Sequence, residues 1–216
     1  MPKIKCILLG EAGVGKTSII KSFSENYFSE YYLPTKTPIK IKSNNFLIYD
    51  TPGMNEYKAV NKVYMKNTKI VILVYDMTNK ETFIKLKRWY YFVCKINDKK
   101  NIDFYIIANK SDLFIDQQVT YDEGEYYSLS IGGIFYETTA TNYKTNKDLF
   151  NEIFKNYKIE GNKIKKVNTI NQLMDLSNKF ITKKYDNGTY TGILLKEKRN
   201  IIGKMEYNNG DIYEGN

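Results

Sequence analysis

Residues 10–17 read GEAGVGKT. It matches the pattern G-x-x-x-x-G-K-[ST], follows a short apolar run at residues 7–9, and leads into a helix-competent stretch. In a strand–loop–helix unit of this kind, the glycines let backbone N–H groups turn inward around phosphates. Lys16 would reach the outer phosphate oxygens, and the Thr17 hydroxyl could ligate Mg²⁺. The motif therefore predicts a phosphate-binding loop.

Three polar motifs follow three apolar runs of strand length. The runs at residues 70–75 and 104–108 are apolar throughout, as expected of strands buried on both faces. The motif NKSD, at residues 109–112, follows the run at 104–108, and DTPG, at residues 50–53, follows a shorter run at 46–49. The third motif is GEAGVGKT, which follows the run at 7–9. Taken alone, NKSD also fits a surface turn. In an open α/β sheet, however, ligands gather outside the carboxyl ends of the strands, so these motifs are expected to share one crevice.

Taken together, these motifs resemble those of the small GTPases of the Ras superfamily, most closely the Rab branch. The matching stretches are LLGEAGVGKTS at 8–18, NYF at 26–28, YLPT at 32–35, DTPG at 50–53, LVYDMTNKETF at 73–83, Trp89, NKSD at 109–112 and ETTA at 137–140. The resemblance spans about residues 3 to 158. It implies an α/β P-loop NTPase fold, the small G domain, with a mainly parallel six-stranded sheet and helices on both faces. Residues 39–42 alternate between apolar and polar, residues 46–48 are apolar, and the polar residues 43–45 lie between them. This pattern predicts one short hairpin.

Site residues follow from the resemblance, position by position. The implied nucleotide-binding residues are Gly10, Ala12, Gly13, Val14, Gly15, Lys16, Thr17, Ser18, Phe28, Tyr32, Pro34, Thr35, Asp50, Gly53, Asn109, Lys110, Asp112, Leu113, Thr139, Ala140 and Thr141. Thr17 and Thr35 would bind Mg²⁺ directly, and Asp50 would hold it through water. Lys16, Thr35 and the Gly53 N–H would act on the reacting γ-phosphate.

The resemblance also implies how the base is held. Phe28 would pack against guanine, although a role as a helix-end core residue stays open. Asn109 and the Ala140 N–H would bond the purine, and the Lys110 stem would lie along it, flanked by Thr139 and Thr141. The Asp112 carboxylate needs two adjacent donors, which guanine offers and adenine does not. ATP would leave a buried charge unpaired, a mismatch that can discriminate by about 10⁴ to 10⁵.

The chain departs from the family pattern in its switch regions. Met54 stands directly after the DTPG glycine, where the family usually has the Gln that orients the attacking water, so slow intrinsic hydrolysis is expected. The alternative is that Met54 packs in the loop and a partner supplies catalysis. Ala12, whose side chain would lie close to the γ-phosphate, is expected to slow hydrolysis slightly as well. Residues 36–38, KTP, replace the Rab Ile-Gly pair, so effector specificity cannot be inherited.

Composition narrows the function classes. The chain has 216 residues and no histidine, which excludes imidazole general-base catalysis and histidine-ligated metal sites. Its net charge of +9 is spread along the chain, which favours a solvated lysine-rich surface over nucleic-acid binding, with weak membrane-surface contact left open. Cys6 and Cys94 fall in a predicted strand and helix and are expected to be reduced thiols. We expect a cytoplasmic protein, with a peripheral position at membranes left open.

Three segments are expected: a G domain at 1–160, a linker with a short helix at 161–184, and a β-hairpin segment at 185–216. The helix is predicted from the spacing of apolar residues between Ile170 and Ile181. In the last segment, NGTYTG at 187–192 echoes NGDIYEG at 209–215, with tyrosines and glycines 23 residues apart. The echo resembles MORN repeats. A tail-mediated dimer stays open, and the chain ends at Asn216 without the cysteines that Rabs use for prenylation, so stable lipid anchoring is not expected.

The preferred function is a guanine-nucleotide switch that binds GTP and GDP with Mg²⁺ and hydrolyses GTP slowly, in membrane traffic or signalling. Effectors, exchange factors and GTPase-activating proteins would be its partners. The alternative is a hydrolysis-deficient GTP-binding scaffold that acts through its MORN-like tail.

Overall fold

The computed structural model describes residues 3–31, 33–53, 58–160, 163–166, 180–185, 188–195, 198–209 and 212–215. The chain divides into two compact units, residues 1–167 and 168–216. Tyr32 and Met54, two of the predicted site residues, lie outside the described residues. Each unit is considered by itself below.

The first unit is built on a six-stranded sheet. Its strands are β1 (Ile4–Leu9), β2 (Ile39–Ser43), β3 (Phe46–Asp50), β4 (Ile70–Asp76), β5 (Asp103–Asn109) and β6 (Ile134–Glu137). Their order in the sheet is β2-β3-β1-β4-β5-β6. All neighbours pair in parallel except β2 and β3, which form the predicted hairpin around Asn44, whose φ of 47° is left-handed. The predicted fold class is confirmed.

Six α-helices accompany the sheet among the residues that the structure describes. They are α1 (Lys16–Glu25), α2 (Lys58–Met65), α3 (Lys80–Ile84), α4 (Leu86–Ile96), α5 (Tyr121–Ser130) and α6 (Tyr143–Lys155). The Asn79 side chain caps α3, and Thr120 and Glu123 form a reciprocal capping box at the start of α5. The Asn142 side chain caps α6 by accepting from Thr145 N. Polar residues therefore fix where α3, α5 and α6 begin.

Two apolar clusters lie on opposite faces of the sheet. Alternate residues of the strands divide between them: Cys6 and Leu8 belong to one cluster, and Ile7 and Leu9 belong to the other. The first cluster includes residues of α1 and α6, and the second includes residues of α2, α4 and α5. All seven residues of β4 are buried. This explains why the strand runs are continuously apolar, as the sequence indicated.

Both cysteines are free thiols within the described residues. Cys6 is buried in β1, and Cys94 is half-buried on α4. Burial raises the pKa of the Cys6 thiol well above its ordinary value, and it raises the pKa of Cys94 as well. The predicted strand and helix positions of these reduced thiols are confirmed.

The first unit ends with a further hairpin, β7 (Tyr157–Glu160) and β8 (Lys163–Lys166), paired antiparallel. The sequence-based boundary at 160/161 falls between these two strands, where a linker was expected. Ile164 packs against the same apolar cluster as Tyr157. The apolar contact of Ile164 and the pairing with β7 explain why the first compact unit extends to Val167.

The second unit is a four-stranded antiparallel sheet. Its strands are β9 (Phe180–Tyr185), β10 (Gly188–Leu195), β11 (Lys198–Tyr207) and β12 (Ile212–Gly215), in the order β12-β11-β10-β9. Residues 168–179 of the predicted short helix lie outside the described residues. The helical pattern was wrong at its last two positions, since Phe180 and Ile181 belong to β9, where aromatic and β-branched residues are favoured.

Candidate nucleotide-binding site

A cleft of about 350 Å³ opens at the carboxyl ends of the parallel strands. Seventeen of the predicted site residues line it: Ala12, Gly13, Gly15, Lys16, Thr17, Ser18, Phe28, Pro34, Thr35, Gly53, Asn109, Lys110, Asp112, Leu113, Thr139, Ala140 and Thr141. Gly10, Val14 and Asp50 are buried beside it rather than exposed to it. The three polar motifs thus meet in one crevice, because the strands that precede them run parallel in the same sheet and end at the same edge.

Two glycines fix the shape of the phosphate loop. Gly10, with φ 149°, lies so close to β4 that a β-carbon would come within 2.1 Å of the Val74 carbonyl oxygen. Gly15, with φ 92°, would place a β-carbon 2.1 Å from the Asn109 Nδ2. Other residues rarely adopt such dihedral angles and would also clash here. The loop can therefore approach Val74 of β4 and Asn109 of β5 only with glycine at these positions.

Lys16, at the start of α1, is a buried cation. Its Nζ donates hydrogen bonds of 2.8 Å to the carbonyl oxygens of Gly10 and Glu11, so the loop holds the ammonium with its own backbone. Burial lowers the pKa of Lys16 to about 8, and the nearby carboxylates of Asp50 and Glu11 oppose this shift. An anion in the cleft would offset the desolvation of this charge, as a phosphate does.

Three oxygen-bearing side chains converge beside the loop. The Thr17 hydroxyl donates a 2.5 Å hydrogen bond to Asp50 Oδ2 and lies 2.7 Å from the Thr35 hydroxyl. Asp50 is fully buried, and burial raises its pKa, while the Thr17 hydrogen bond and the Lys16 charge oppose the rise. Its Oδ1 is buried without a hydrogen-bond partner among the described residues. A site of hard oxygen donors with one buried carboxylate fits Mg²⁺, which keeps phosphate and water ligands as well.

Gly53, in the DTPG motif, packs directly on the phosphate loop. A β-carbon on Gly53 would lie 2.4 Å from the backbone nitrogen of Ala12. Thr51, two residues earlier in the motif, anchors the segment through a 2.6 Å hydrogen bond from its hydroxyl to the Leu8 carbonyl. The segment that begins at Gly53 therefore starts in contact with the loop that would hold the phosphates.

NKSD and the loop after β6 form the other end of the cleft. Asn109 is buried, and its Nδ2 donates a 2.8 Å hydrogen bond to the Val14 carbonyl, which joins this motif to the phosphate loop. Lys110 has a φ of 68° and forms a 2.5 Å ion pair with Asp76. Asp112 is exposed on the cleft rim. The motif is therefore held by two separate contacts rather than lying as a free surface turn.

The loop at residues 138–141 faces NKSD. The Thr139 and Thr141 hydroxyls are 2.8 Å apart, and Ala140 between them is buried. Phe28 lines the cleft and also packs, half-buried, against the apolar cluster that contains Ala140. Its two alternative roles, as a wall of the cleft and as a packing residue, are therefore both compatible with its position.

The sequence analysis missed several residues around the cleft. Lys21, Tyr27, Ser29, Glu30, Tyr31, Leu33 and Thr51 also line it. Lys21 Nζ lies 5.7 Å from the centre of the Tyr27 ring, a cation–π contact at the mouth of the cleft. The spacing of Lys21 one turn after Thr17 on α1 is the signal that could have identified it.

The part of the chain that carries these motifs is similar to known proteins. The family model described as Ras family matches residues 5–159. Ras-related protein Rab-21 from mouse is 34% identical over 159 residues, which cover 70% of this chain and 71% of that protein. The chain belongs to the Ras family of small GTPases. Human Ras-related protein Rab-31 is 33% identical over 159 residues, 70% of this chain and 81% of the relative. The Ras-like protein rasV of Dictyostelium discoideum is 30% identical over 156 residues, 69% of this chain and 68% of the relative.

Within the Ras family this chain is Rab-like, and members of the family are GTPases that bind GTP, GDP and Mg²⁺. In the part of the chain that the structure describes, no helix has the length and hydrophobicity to cross a bilayer. The described ranges likewise contain no cluster of three or more Cys, Asp or Glu side chains placed to hold a metal ion. A metal ion here would be bound by the Thr17, Thr35 and Asp50 oxygens together with phosphate oxygens of the nucleotide.

Proposed function

We propose that this chain is a guanine-nucleotide switch that binds GTP and GDP with Mg²⁺ and hydrolyses GTP slowly. The observation that carries the proposal is the shared cleft, in which Lys16 lies at one end and the NKSD and 138–141 loops lie at the other. Asn109 joins the two ends through its hydrogen bond to the Val14 carbonyl. Such a cleft suits a ligand with an anionic end and a planar, hydrogen-bonding end.

At the anionic end, the backbone of residues 13–18 and the Lys16 ammonium would bind the phosphates. Thr17 and Thr35 would ligate Mg²⁺, and Asp50 would hold it through water. The bound ion would screen the charge of the phosphates. The Thr35 hydroxyl and the Gly53 backbone belong to separate loops that both reach the phosphate side of the cleft, so loss of the γ-phosphate would release both.

At the other end, Asp112 would select the base. A carboxylate pairs with two adjacent donors, which guanine presents and adenine does not, so an adenine nucleotide leaves the acid without partners. Asn109 and the Ala140 N–H would bond the same purine, and the Lys110 stem would lie along its face. The ion pair of Lys110 with Asp76 supports this role, because it fixes the lysine beside the cleft.

Slow hydrolysis is inferred from the residue at position 54. Met54 has a thioether where the family usually has Gln, and a thioether cannot orient the attacking water. Lys16, Thr35 and the Gly53 N–H would remain to stabilise the transferring phosphoryl group. Effectors, an exchange factor and a GTPase-activating protein would act on the switch loops, and we propose a cytoplasmic protein that contacts membranes peripherally in traffic or signalling.

A second candidate function is a GTP-binding scaffold that acts through a MORN-like tail. The register of the second unit supports it: Gly192 pairs with Gly203, and Gly203 pairs with Gly215, so three glycines align across β10, β11 and β12. Met205 likewise pairs with Tyr190 on one side and with Tyr213 on the other. Residues 23 apart therefore hold equivalent positions around β11, as in a structural repeat. We propose residues 185–216 as a partner-binding or dimer-forming segment.

The experiment that tests the switch identifies the nucleotide retained by the purified full-length chain and then measures competition by GDP, GTP, ADP and ATP with and without Mg²⁺. We expect retained guanine nucleotide, release on chelation of Mg²⁺, and no competition by adenine nucleotides. Retention of no nucleotide, or equal competition by ATP, would refute the proposal. Asp112→Ala should abolish the preference for guanine, whereas the neighbouring Ser111→Ala should preserve it.

The scaffold is tested by capturing partners on the full chain and on a chain ending at residue 167, each loaded with GTP or GDP. Partners that require residues 168–216 regardless of the nucleotide favour the scaffold. Partners that require GTP and bind equally well to the chain ending at residue 167 favour the switch.

A further inference from the structure

A buried amide side chain on α6 connects the two ends of the candidate site. Asn146 is fully buried, and its Oδ1 accepts a 2.8 Å hydrogen bond from the Thr138 hydroxyl. Its Nδ2 donates 2.8 Å hydrogen bonds to the Ser22 hydroxyl and the Thr139 carbonyl, and a 3.0 Å bond to the Asn142 carbonyl. The donors and the acceptor of this amide are therefore all used.

The partners of Asn146 lie on the elements that form the cleft. Thr138 and Thr139 begin the loop that would bond the base, and the Thr138 carbonyl accepts a 3.1 Å hydrogen bond from Ser111 N in NKSD. Ser22 lies on α1, six residues after Lys16, and is fully buried. One side chain thus ties the 138–141 loop, and through the Thr138 backbone also NKSD, to the helix that begins at the phosphate loop.

The surroundings make this arrangement costly to alter. Leu149, Phe150 and Ile153 on the same helix are buried in an apolar cluster, and the Phe150 ring stacks on Phe23 of α1 at 4.4 Å. A polar side chain in such a place is destabilising unless its hydrogen bonds are complete. Asn142 already caps α6, so Asn146 is not needed to start the helix.

We propose that Asn146 is a positioning residue that fixes the 138–141 loop against α1 and thereby slows the release of bound nucleotide. The inference rests on the proposed function, since it concerns the same cleft. Rigid attachment of the loop keeps the Ala140 N–H and the Thr139 side chain in their binding positions. Without the amide, the loop loses its bonds to α1 and opens more often, so the nucleotide leaves faster.

The test measures the dissociation rate of a fluorescent GDP analogue from the full-length chain with Mg²⁺ present. Asn146→Val removes all four hydrogen bonds while it keeps a branched side chain. Ser22→Ala removes the α1 partner alone. Ser128→Ala is the matched control, because Ser128 is equally buried but bonds within α5, to the Glu125 carbonyl. The melting temperature of each variant is recorded as well.

We expect release to become about tenfold faster in Asn146→Val, which loses the bonds to both the 138–141 loop and α1, and about threefold faster in Ser22→Ala, which loses the bond to α1 alone. In the double variant, release should be no faster than in Asn146→Val alone, because both changes break the same bond. Ser128→Ala should lower the melting temperature as much as Ser22→Ala and leave the release rate unchanged.

Unchanged release in Asn146→Val and Ser22→Ala, or equal acceleration in Ser128→Ala, overturns the inference. If Asn146→Val does not fold, the comparison of Ser22→Ala with Ser128→Ala decides. The nucleotide content of the unaltered protein separates the two proposals. A chain that holds no guanine nucleotide refutes the switch and the inference together, whereas a chain that holds GDP and releases it at the same rate in all variants refutes the inference alone.

Discussion

The Trp89 indole Nε1 donates a 2.9 Å hydrogen bond to the Glu11 carboxylate oxygen Oε1, across 78 positions of sequence. Glu11 lies in the phosphate loop, and its backbone carbonyl accepts one of the two hydrogen bonds from the Lys16 ammonium. Trp89 is buried in the apolar cluster beneath α4. The position of the phosphate loop is therefore set partly by a side chain that never reaches the cleft.

Replacing Trp89 with Phe should lower the free energy of unfolding by about 2 kcal/mol, the usual scale for a hydrogen bond to a charged group together with a small loss of packing. Urea unfolding of the two proteins measures the difference. Lys85→Ala serves as the comparison, because it removes the longer 3.5 Å contact of a half-exposed lysine with the same carboxylate. It also removes the exposed 2.8 Å ion pair of Lys85 with Glu81, and it should still have a smaller effect. Equal effects from both changes would show that the indole bond does not fix Glu11.

Adding a methyl group at Gly15 should damage the cleft as a whole. Gly15→Ala combines a φ of 92° with a clash at the Asn109 side chain, so we expect a loss of about 2 kcal/mol in stability and at least a tenfold weaker affinity for GDP. Gly132→Ala is the matched control, since its φ is 72° but no atom lies within 4 Å of the added carbon. The control should lose about 1 kcal/mol and bind GDP normally. Calorimetric titration with GDP and urea unfolding distinguish these outcomes.

Much of the first unit was predictable because its signals are local. The apolar runs of β4 and β5 are continuous, so the burial of these strands on both faces can be predicted from the sequence alone. In the same way, GEAGVGKT marks the loop between β1 and α1. The hairpin around Asn44 was also predictable, because one alternating run and one apolar run flank a short polar turn. These features need no knowledge of distant contacts.

The features that escaped prediction depend on residues far apart in sequence. Ser22 and Asn146 are 124 positions apart, and neither stands in a motif, so their hydrogen bond becomes visible only when α1 and α6 pack together. The strand at Lys163–Lys166 was missed because its lysine-rich composition is typical of a linker, and its pairing with β7 overrides that weak propensity. The helical spacing before Phe180 failed at that residue for the same reason, since strand pairing with β10 decides its conformation.

Restoring Gln at position 54 should accelerate hydrolysis. If the thioether of Met54 limits the reaction, Met54→Gln gains a group that can orient the attacking water, and the single-turnover rate of GTP hydrolysis should rise by at least about tenfold, or ~1.4 kcal/mol in the barrier. Met54→Leu, which cannot orient water either, should leave the rate unchanged. A rate that stays constant in Met54→Gln would favour the alternative that a partner protein supplies catalysis.

The capping box of α5 should make stability depend on pH in the acidic range. Burial raises the pKa of Glu123, but the hydrogen bonds from the Thr120 N–H and the charge of Lys80 outweigh burial and leave the pKa below its ordinary value. A carboxyl whose pKa is lower in the folded state stabilises the protein above its unfolded pKa of about 4.5, and this contribution disappears as the pH falls through the folded value.

Glu123→Gln keeps a hydrogen-bond acceptor but cannot titrate. Urea unfolding should therefore show the unaltered protein to be more stable than Glu123→Gln at pH 7, by a few tenths to about 1 kcal/mol, with the difference vanishing near pH 3. Thr120→Ala, which removes the uncharged half of the box, should cost about 1 kcal/mol at both pH values. A difference between the protein and Glu123→Gln that persists at pH 3 would mean that the charge of Glu123 does not contribute, and that the box stabilises α5 through its hydrogen bonds alone.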